Sequence, residues 1–363
     1  MFSSKKIGRF YDIDVYVHPT FYLLIAWIVF AHMLAGETVG ATVSGVIFVL
    51  LIFVCVVLHE YGHALTARKF NVKTRDITLY PIGGVARLEK MPEEPIEELW
   101  VALAGPAVNV VIAIGLAGWL AVSRSFVPVD ELTLTSGSMV ERLMIVNIFL
   151  VVFNLLPAFP MDGGRVLRAI LAHNMDYVQA TQIAAQIGKG MALLFGFAGF
   201  FVSPILLFIA FFVWIGASGE ASQVQIRQLL RGVPLSDVLI TDYEAVSPGE
   251  SLDQLRERFV SGNQSAYPVV EEGAVVGIVT QQQLVEQLHG KTSETPVREI
   301  MQTDVVELDV HDMLEPALQK LQEAGQSIAP VMDDGRIAGI VTDERTGRFL
   351  MFRSGHQRAE SAR

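Results

Sequence analysis

Charged residues are scarce in this chain. Asp, Glu, Lys and Arg make up 18% of the 363 residues, whereas hydrophobic residues make up 52%. Soluble domains carry about 25% charged residues, so the deficit excludes a chain that is soluble over its whole length and predicts a membrane protein in at least part of it. Cysteine is scarcer still: the single Cys55 excludes an intrachain disulfide, and the cysteine content does not indicate an oxidising compartment.

The charges that are present lie unevenly along the chain. Residues 235–350 hold 8 Lys and Arg against 21 Asp and Glu, a net charge of −13, while all other residues hold 19 against 17. We therefore expect an apolar domain at 1–222, a linker at 223–234, an acidic soluble domain at 235–350 and a tail at 351–363. The acidic balance argues against binding to nucleic acid.

The apolar part contains six stretches of roughly the 20 residues that a transmembrane helix needs. They are residues 19–36, 43–66, 99–123, 140–160, 180–200 and 202–221. The expected fold is a polytopic α-helical membrane domain of about six spans, followed by a soluble domain.

Basic residues indicate the orientation of these spans. They cluster at 5–9, 68–90, 165–168 and 227–231, including Lys90, whereas the intervening loops carry only Arg124, with Arg142 at the edge of the fourth span. The positive-inside rule places the basic clusters in the cytoplasm. The sequence thus predicts a multi-pass cell-membrane protein with both termini and the acidic domain in the cytoplasm.

The segment VLHEYGH lies at the end of an uncharged run from Ser44 to Leu58. On a helix, His59 and His63 are about one turn apart on one face. They can therefore bind the same Zn²⁺, with Glu60 beside them to take a proton from a bound water. Ionisable groups inside a span are costly and usually functional, which favours this interpretation over a chance occurrence of the motif.

A catalytic zinc normally has three protein ligands and an open position for water. The candidate for the third ligand is Asp162, which follows the fourth predicted span in the segment NLLPAFPMDGGR. Prolines and glycines interrupt the helix there, and interrupted helix at membrane depth is tolerated where it lines a polar cavity. The residues alone leave a second interpretation open, in which Asp162 is an ordinary helix N-cap.

HEYGH together with NLLPAFPMDGG resembles the site-2 proteases, a family of intramembrane zinc metalloproteases. The GPAVN element at 105–109 and the Gly-Gly segment in YPIGGV at 80–85 also resemble the family, whereas Met161 stands where leucine is commoner. The resemblance covers residues 1 to about 222.

The resemblance implies the roles of the site residues. His59, His63 and Asp162 would bind one zinc per chain, and Glu60 would be the general base. The substrate implied is a membrane-anchored protein, cut within or near a transmembrane segment. The expected function is therefore that of a metalloendopeptidase in regulated intramembrane proteolysis.

Four further residues are candidates for substrate contact. The segment from Ile77 to Leu88, with Gly83 and Gly84, is predicted to form a β-hairpin or re-entrant loop that offers backbone hydrogen bonds to an unwound substrate. Asn154 is predicted to stabilise the oxyanion or orient the substrate. For Asn109 the same role and an interhelical hydrogen bond both stay open.

The acidic domain contains an internal repeat. AYPVV…VGIVT at 266–280 and IAPVM…AGIVT at 328–342 each follow a helical pattern, at 252–261 and 314–324. The repeat resembles a pair of cystathionine-β-synthase (CBS) domains, an α/β module that often binds adenine nucleotides and often dimerises.

The CBS pair departs from the nucleotide-binding pattern at one kind of position. Gln283 and Arg345 stand where an aspartate commonly holds the ribose. Nucleotide binding, a homodimer through this module and a docking role therefore stay open. In each case we expect the module to modulate the protease.

Two other functions compete with the protease. One is a membrane transporter or channel with a CBS regulatory domain, which would also suit a polar site between interrupted spans. The other is a catalytically inactive relative that binds membrane helices. A transporter has no need of Glu60 between two histidines together with Asp162, and the presence of all the proposed catalytic residues argues against an inactive relative.

Overall fold

The structure is a computed structural model. It describes residues 4–89, 91–123, 137–262, 264–287 and 292–361. Lys90 and Arg124, used above for the orientation, lie outside these ranges. The chain divides into two compact units, Met1–Val224 and Gln225–Arg363.

The first unit is mainly helical. Its helices are α1 (Pro19–Leu34), α2 (Val39–Lys69), α3 (Pro95–Ser123), α4 (Met139–Asn154), α5 (Asp162–Ala172), α6 (Tyr177–Gly199) and α7 (Ile205–Leu230), the last of which continues into the sequence of the second unit. In the described part of the chain, α2, α3 and α7 are long and apolar enough to cross a membrane, and α1 is a shorter apolar helix. A helical membrane domain is thereby confirmed.

A four-stranded sheet covers part of α2. Its strands, in spatial order, are β1 (Lys5–Phe10), β2 (Ile13–Val17), β3 (Thr74–Tyr80) and β4 (Gly83–Leu88). The pairs β1/β2 and β3/β4 are antiparallel, and β2/β3 is parallel. Ile13, Val15 and Ile77 of the sheet pack against Tyr61 and Ala64 of α2, so the sheet lies on the half of α2 that carries HEYGH.

The hairpin predicted within residues 77–88 is confirmed. Strands β3 and β4 are joined by the two residues Pro81 and Ile82, and Thr78 lies opposite Val85. Strand β4 is the last strand of its sheet, so one of its edges is not paired with another strand of this sheet.

The second unit repeats one arrangement twice. Its helices are α8 (Leu252–Ser261), α9 (Gln281–Gln287), α10 (Leu314–Ala324) and α11 (Asp343–Ser361), and its strands are β5 (Ala266–Glu271), β6 (Ala274–Thr280), β7 (Leu308–Asp309), β8 (Ile328–Asp333) and β9 (Arg336–Thr342). Hairpins β5/β6 and β8/β9 pair in equivalent registers, with a bulge at the same point. The repeat inferred from the sequence is confirmed.

Both hairpins close with the same two-residue turn. Glu272 and Gly273 have φ values of 51° and 86°, and Asp334 and Gly335 have values of 48° and 79°. Positive φ at both positions is the type I′ geometry, which matches the twist of antiparallel strands and favours glycine at the second position.

The two repeats share one core. Ala266 and Ile278 of the first hairpin are buried with Ile328 and Ile340 of the second. Each repeat also packs its own helix under its hairpin, with Leu255 of α8 in one cluster and Leu321 of α10 in another. Since each hairpin completes the burial of the other, we expect the repeats to fold as one module.

Candidate metal centre

Three side chains from two helices converge inside the membrane domain. His59 and His63 lie on α2, Asp162 is the first residue of α5, and all three are buried. The two histidine Nε2 atoms are 3.1 Å apart, and Asp162 Oδ2 lies 3.2 Å from the Nε2 of His59 and 3.1 Å from that of His63. The residues predicted to bind metal are therefore brought together, and they form a candidate zinc site.

The triangle of ligand atoms fits a tetrahedral metal ion. With ligands about 2.0 Å from zinc, two corners of a tetrahedron are about 3.3 Å apart, close to the 3.1–3.2 Å sides found here. Two imidazoles and a carboxylate are also ligands that zinc accepts at catalytic sites. Both the spacing and the donor set therefore suit Zn²⁺.

Hydrogen bonds at the two Nδ1 atoms determine that the Nε2 atoms of both histidines face the centre of the ligand triangle. His63 Nδ1 lies 2.7 Å from the carbonyl oxygen of Val101, which can only accept, so Nδ1 carries the proton. His59 Nδ1 lies 2.5 Å from Asn109 Oδ1. Both Nε2 atoms consequently present lone pairs, and outer partners of this kind orient metal-binding histidines.

Asn109 is held in turn by a second asparagine. Its Nδ2 donates to Asn147 Oδ1 at 2.8 Å, and Asn147 Nδ2 donates to the carbonyl oxygen of Leu143 and contacts Cys55 Sγ. Both asparagines are fully buried. These hydrogen bonds fix the orientation of the Asn109 amide so that its oxygen faces His59. Asn147 was not among the residues predicted from the sequence, where its only signal is that of an amide in an apolar helix.

The segment before Asp162 folds back on the start of α5. A Cβ atom on Gly163 would lie 2.3 Å from the carbonyl oxygen of Leu156, and one on Gly164 would lie 2.6 Å from the backbone nitrogen of Phe159. Only glycine fits at such distances, so the two glycines permit the tight return. Asp162 is not the N-cap of α5, a position occupied by Met161, and its carboxylate faces the histidines.

The side chain of Glu60 extends from α2 to the edge strand β4. Its Oε2 accepts a hydrogen bond of 3.0 Å from the backbone N–H of Ala86 in β4. A Cβ atom on Gly84 would lie 3.0 Å from Glu60 Cγ, so the absence of a side chain at 84 lets the strand approach the glutamate. Gly83 adopts φ +142°, in the range that favours glycine.

Asn154 faces its own helix in this structure. Its Nδ2 donates to the carbonyl oxygen of Leu150 at 2.9 Å, at the last turn of α4. The oxyanion role suggested for Asn154 stays a prediction, and it would require this amide to turn away from Leu150.

Gly105 forms one wall of the metal centre. A Cβ atom at this position of α3 would lie 2.2 Å from His63 Nε2 and 2.6 Å from His59 Nε2. Any side chain here would therefore occupy the space that both lone pairs face. The sequence offered only the GPAVN resemblance, and the contact with both ligand atoms follows from the packing of α3 on α2.

An integral membrane domain with a His-His-Asp candidate zinc site defines the class of intramembrane zinc metalloproteases. Two models of known families match the chain: peptidase family M50 at residues 47–141 and 129–195, and the CBS domain at residues 235–290 and 297–345.

Relatives match over nearly the full length. A zinc metalloprotease of Methanocaldococcus jannaschii is 34% identical, over 93% of this chain and 94% of the relative. The Rip3 protein of Mycobacterium tuberculosis is 30% identical, over 96% of this chain and 93% of the relative. The chain therefore belongs to peptidase family M50, the site-2 proteases, and carries a C-terminal CBS pair. It is a site-2 protease-type intramembrane zinc metalloprotease, which rules out the transporter or channel interpretation.

A solved structure is also similar. The site-2 protease from Methanocaldococcus jannaschii shares 38% sequence identity, covers 60% of this chain and 95% of its own, and has a TM-score of 0.45.

We predict that Gly105→Ala weakens zinc binding at least about tenfold, because the new methyl group displaces both histidine nitrogens. The measurement is zinc affinity of the purified full chain by chelator competition. Gly115→Ala is the matched control on the same helix, since its Cβ meets no atom of the described residues within 4 Å. Wild-type affinity in a folded Gly105→Ala protein would contradict the geometry.

Proposed function

We propose that this protein hydrolyses a peptide bond within or near a transmembrane segment of a membrane-anchored protein, as a step of regulated intramembrane proteolysis. The observation that carries the proposal is the convergence of two Nε2 atoms and one carboxylate oxygen, 3.1–3.2 Å apart, in a membrane domain. Glu60, which follows His59 in the sequence, is the acid–base residue beside these three ligand atoms. A protease site of this kind lies in the membrane because its substrate does.

In this mechanism His59, His63 and Asp162 hold one Zn²⁺ per chain. When bound, zinc would lower the pKa of a water toward about 7 and polarise the scissile carbonyl. Glu60 takes a proton from the attacking water as the new C–O bond forms. It then delivers the proton to the amine as the C–N bond breaks. Asn109 contributes by orienting His59.

Strand β4 supplies the substrate-binding edge. The N–H of Ala86 donates to Glu60, which shows that it points away from β3. Residues alternate along an antiparallel strand, so the backbone groups of Gly84 face the same free edge. An extended substrate segment added there would pass beside Glu60. Asn154, after its amide turns, is the proposed donor to the oxyanion.

We propose the following topology and domain boundaries. The domain at 1–222 spans the membrane about six times, with α1, α4 and α6 as spans beside the three longer helices. Both termini and the CBS domain at 235–350 lie in the cytoplasm, which fits the basic clusters around the predicted spans. The linker at 223–234 begins within α7, and residues 351–361 of the proposed tail at 351–363 belong to α11.

The CBS module is proposed to modulate cleavage, and nucleotide binding is its weaker role. A cavity of about 230 Å³ lies beside both repeats, lined by Thr280, Gln282, Gln283, Glu286, Gln302, Gln326 and others. Glu286 is the one charged residue among this described lining, so the cavity offers no cation for a phosphate. Gln283 already accepts a hydrogen bond from the N–H of Thr280. Homodimerisation or docking of a partner suits the module better, and Arg345 lies outside the cavity lining.

Isothermal titration of the full chain with ATP, ADP and AMP tests the nucleotide role. We expect no binding heat with any of them, because the cavity lacks a counter-charge. Micromolar binding of one nucleotide would overturn this reading of the module.

The proposed reaction predicts that Glu60→Gln loses cleavage and keeps zinc. We expect the rate to fall about 10²–10⁴-fold, the range for loss of a general base. The assay incubates the full chain in nanodiscs with a library of tagged single-span membrane proteins, and mass spectrometry detects the cleavage sites. The exposed Glu37→Gln is the control. Unchanged cleavage by Glu60→Gln would remove Glu60 from the mechanism.

The hydrogen bond from Ala86 to Glu60 predicts that Ala86→Pro reduces cleavage about tenfold or more, the cost of losing a hydrogen bond to a charged group. Proline is tolerated on edge strands where the N–H faces outward, so the sheet should persist and zinc should stay bound. Ala86→Ser keeps the N–H and is the matched control. Wild-type cleavage by a folded Ala86→Pro protein would show that Glu60 does not need the hydrogen bond from β4.

A further inference from the structure

A buried ion network lies outside the metal centre. Arg168, in the second half of α5, is 1% exposed, and Glu98 of α3 is fully buried. The guanidinium donates to Glu98 Oε1 through both Nε and Nη2, at 2.8 and 2.5 Å. Its Nη1 donates to Oε1 of Glu220 on α7 at 2.6 Å. One side chain thus joins α5 to two other helices.

Arg168 is also enclosed by aromatic rings. Its guanidinium carbon lies 5.0 Å from the ring centre of Phe159 and 4.9 Å from that of Tyr177. Phe159 belongs to the segment that returns the chain to Asp162, and Tyr177 is the first residue of α6. Both distances are in the range of cation–π attraction. Two carboxylates and two aromatic rings therefore contact this one buried side chain.

The buried carboxylate of Glu98 depends on Arg168 for its hydrogen bonds and its counter-charge. Its Oε2 is buried and has no hydrogen-bond partner among the described residues. A buried carboxylate without a paired cation is strongly unfavourable. The position of Glu98 is consequently tied to the position of Arg168, and α3 is tied to α5.

The two helices that this ion pair joins both contribute to the metal centre, since α5 carries the ligand Asp162 and α3 carries the groups that orient the two histidines of α2. Val101, one turn after Glu98 on α3, accepts the hydrogen bond that orients His63. Asp162 begins the same helix that carries Arg168. A shift of α5 along α3 would therefore move the carboxylate of Asp162 away from the two histidine nitrogens.

We infer that Arg168, with Glu98 and Glu220, is a positioning residue for the third metal ligand. The planar fork of arginine binds two carboxylates in fixed directions, which a lysine cannot reproduce. The network sets the place of α5 against α3 and α7, and Asp162 reaches the point between His59 and His63 as a result. The residues themselves do not touch the metal or the substrate.

The test removes the whole network so that no charge stays buried alone. Replacement of a buried ion network by hydrophobic side chains of similar volume is often tolerated, whereas removal of one partner is not. The variant is Glu98→Met/Arg168→Met/Glu220→Gln in the full chain, with glutamine at position 220 because that side chain is partly exposed. Zinc affinity is measured by chelator competition, and the visible spectrum of the cobalt-loaded protein reports ligand geometry.

We expect the triple variant to fold and to bind zinc about 10–100-fold more weakly, which is the usual effect of losing an outer partner of a metal ligand. We also expect its cobalt spectrum to differ from that of the wild type. The matched control is Asp76→Asn/Arg87→Met, which removes an ion pair of 2.7 Å between buried Asp76 of β3 and exposed Arg87 of β4. This control should leave zinc affinity unchanged. Wild-type zinc affinity and spectrum in the folded triple variant would overturn the inference.

If the triple variant does not fold, Arg168→Lys decides by the same two measurements, because it keeps a positive charge between the carboxylates. The inference rests on the proposed zinc ligands. The two failures are distinguishable: absence of zinc from the wild type would overturn the proposed function, whereas zinc binding that is insensitive to the network would overturn only this inference.

Discussion

The metal centre depends on two hydrogen bonds, from His59 Nδ1 to Asn109 and from His63 Nδ1 to the carbonyl oxygen of Val101. Both acceptors lie on α3, so one helix orients both imidazoles of its neighbour. This arrangement requires α3 to lie close against α2, and Gly105 permits that approach at the point where the two Nε2 atoms meet. Ligand direction and helix packing are therefore parts of one constraint.

The third ligand reaches this point by a different route. Asp162 is the first residue of α5, and the next two residues, Gly163 and Gly164, lie so close to the preceding segment that only glycine fits there. Around it the domain buries polar groups in an apolar setting, where each unpaired group is costly. Asn109 pairs with Asn147, and Arg168 pairs with Glu98 and Glu220, so these buried groups are not left unpaired. Both sets of bonds hold the residues around the metal ligands in place.

His59, Glu60 and His63 could be predicted from the sequence, because they lie in one short motif with fixed helical spacing, whereas Asp162 was predicted from its place after the fourth span and from the family resemblance. The patterns at 252–261 and 314–324 likewise coincide with α8 and α10, since each apolar face has a simple period. Asn147, Gly105 and Arg168 could not be assigned in this way. Their roles depend on which helices pack together, and no local pattern encodes that choice. The fourth predicted span also ended too late: α4 stops at Asn154, where Pro157 and Pro160 follow.

The most direct test of the central claim is a count of zinc per chain in the purified protein, for the wild type, His59→Ala and Asp162→Ala. We predict about one zinc in the wild type, as at catalytic sites with three protein ligands, and loss or clear weakening of binding in both variants. A well-folded wild type that takes up no zinc after metal is added would contradict it. Full zinc affinity in Asp162→Ala would equally contradict the assignment of the third ligand.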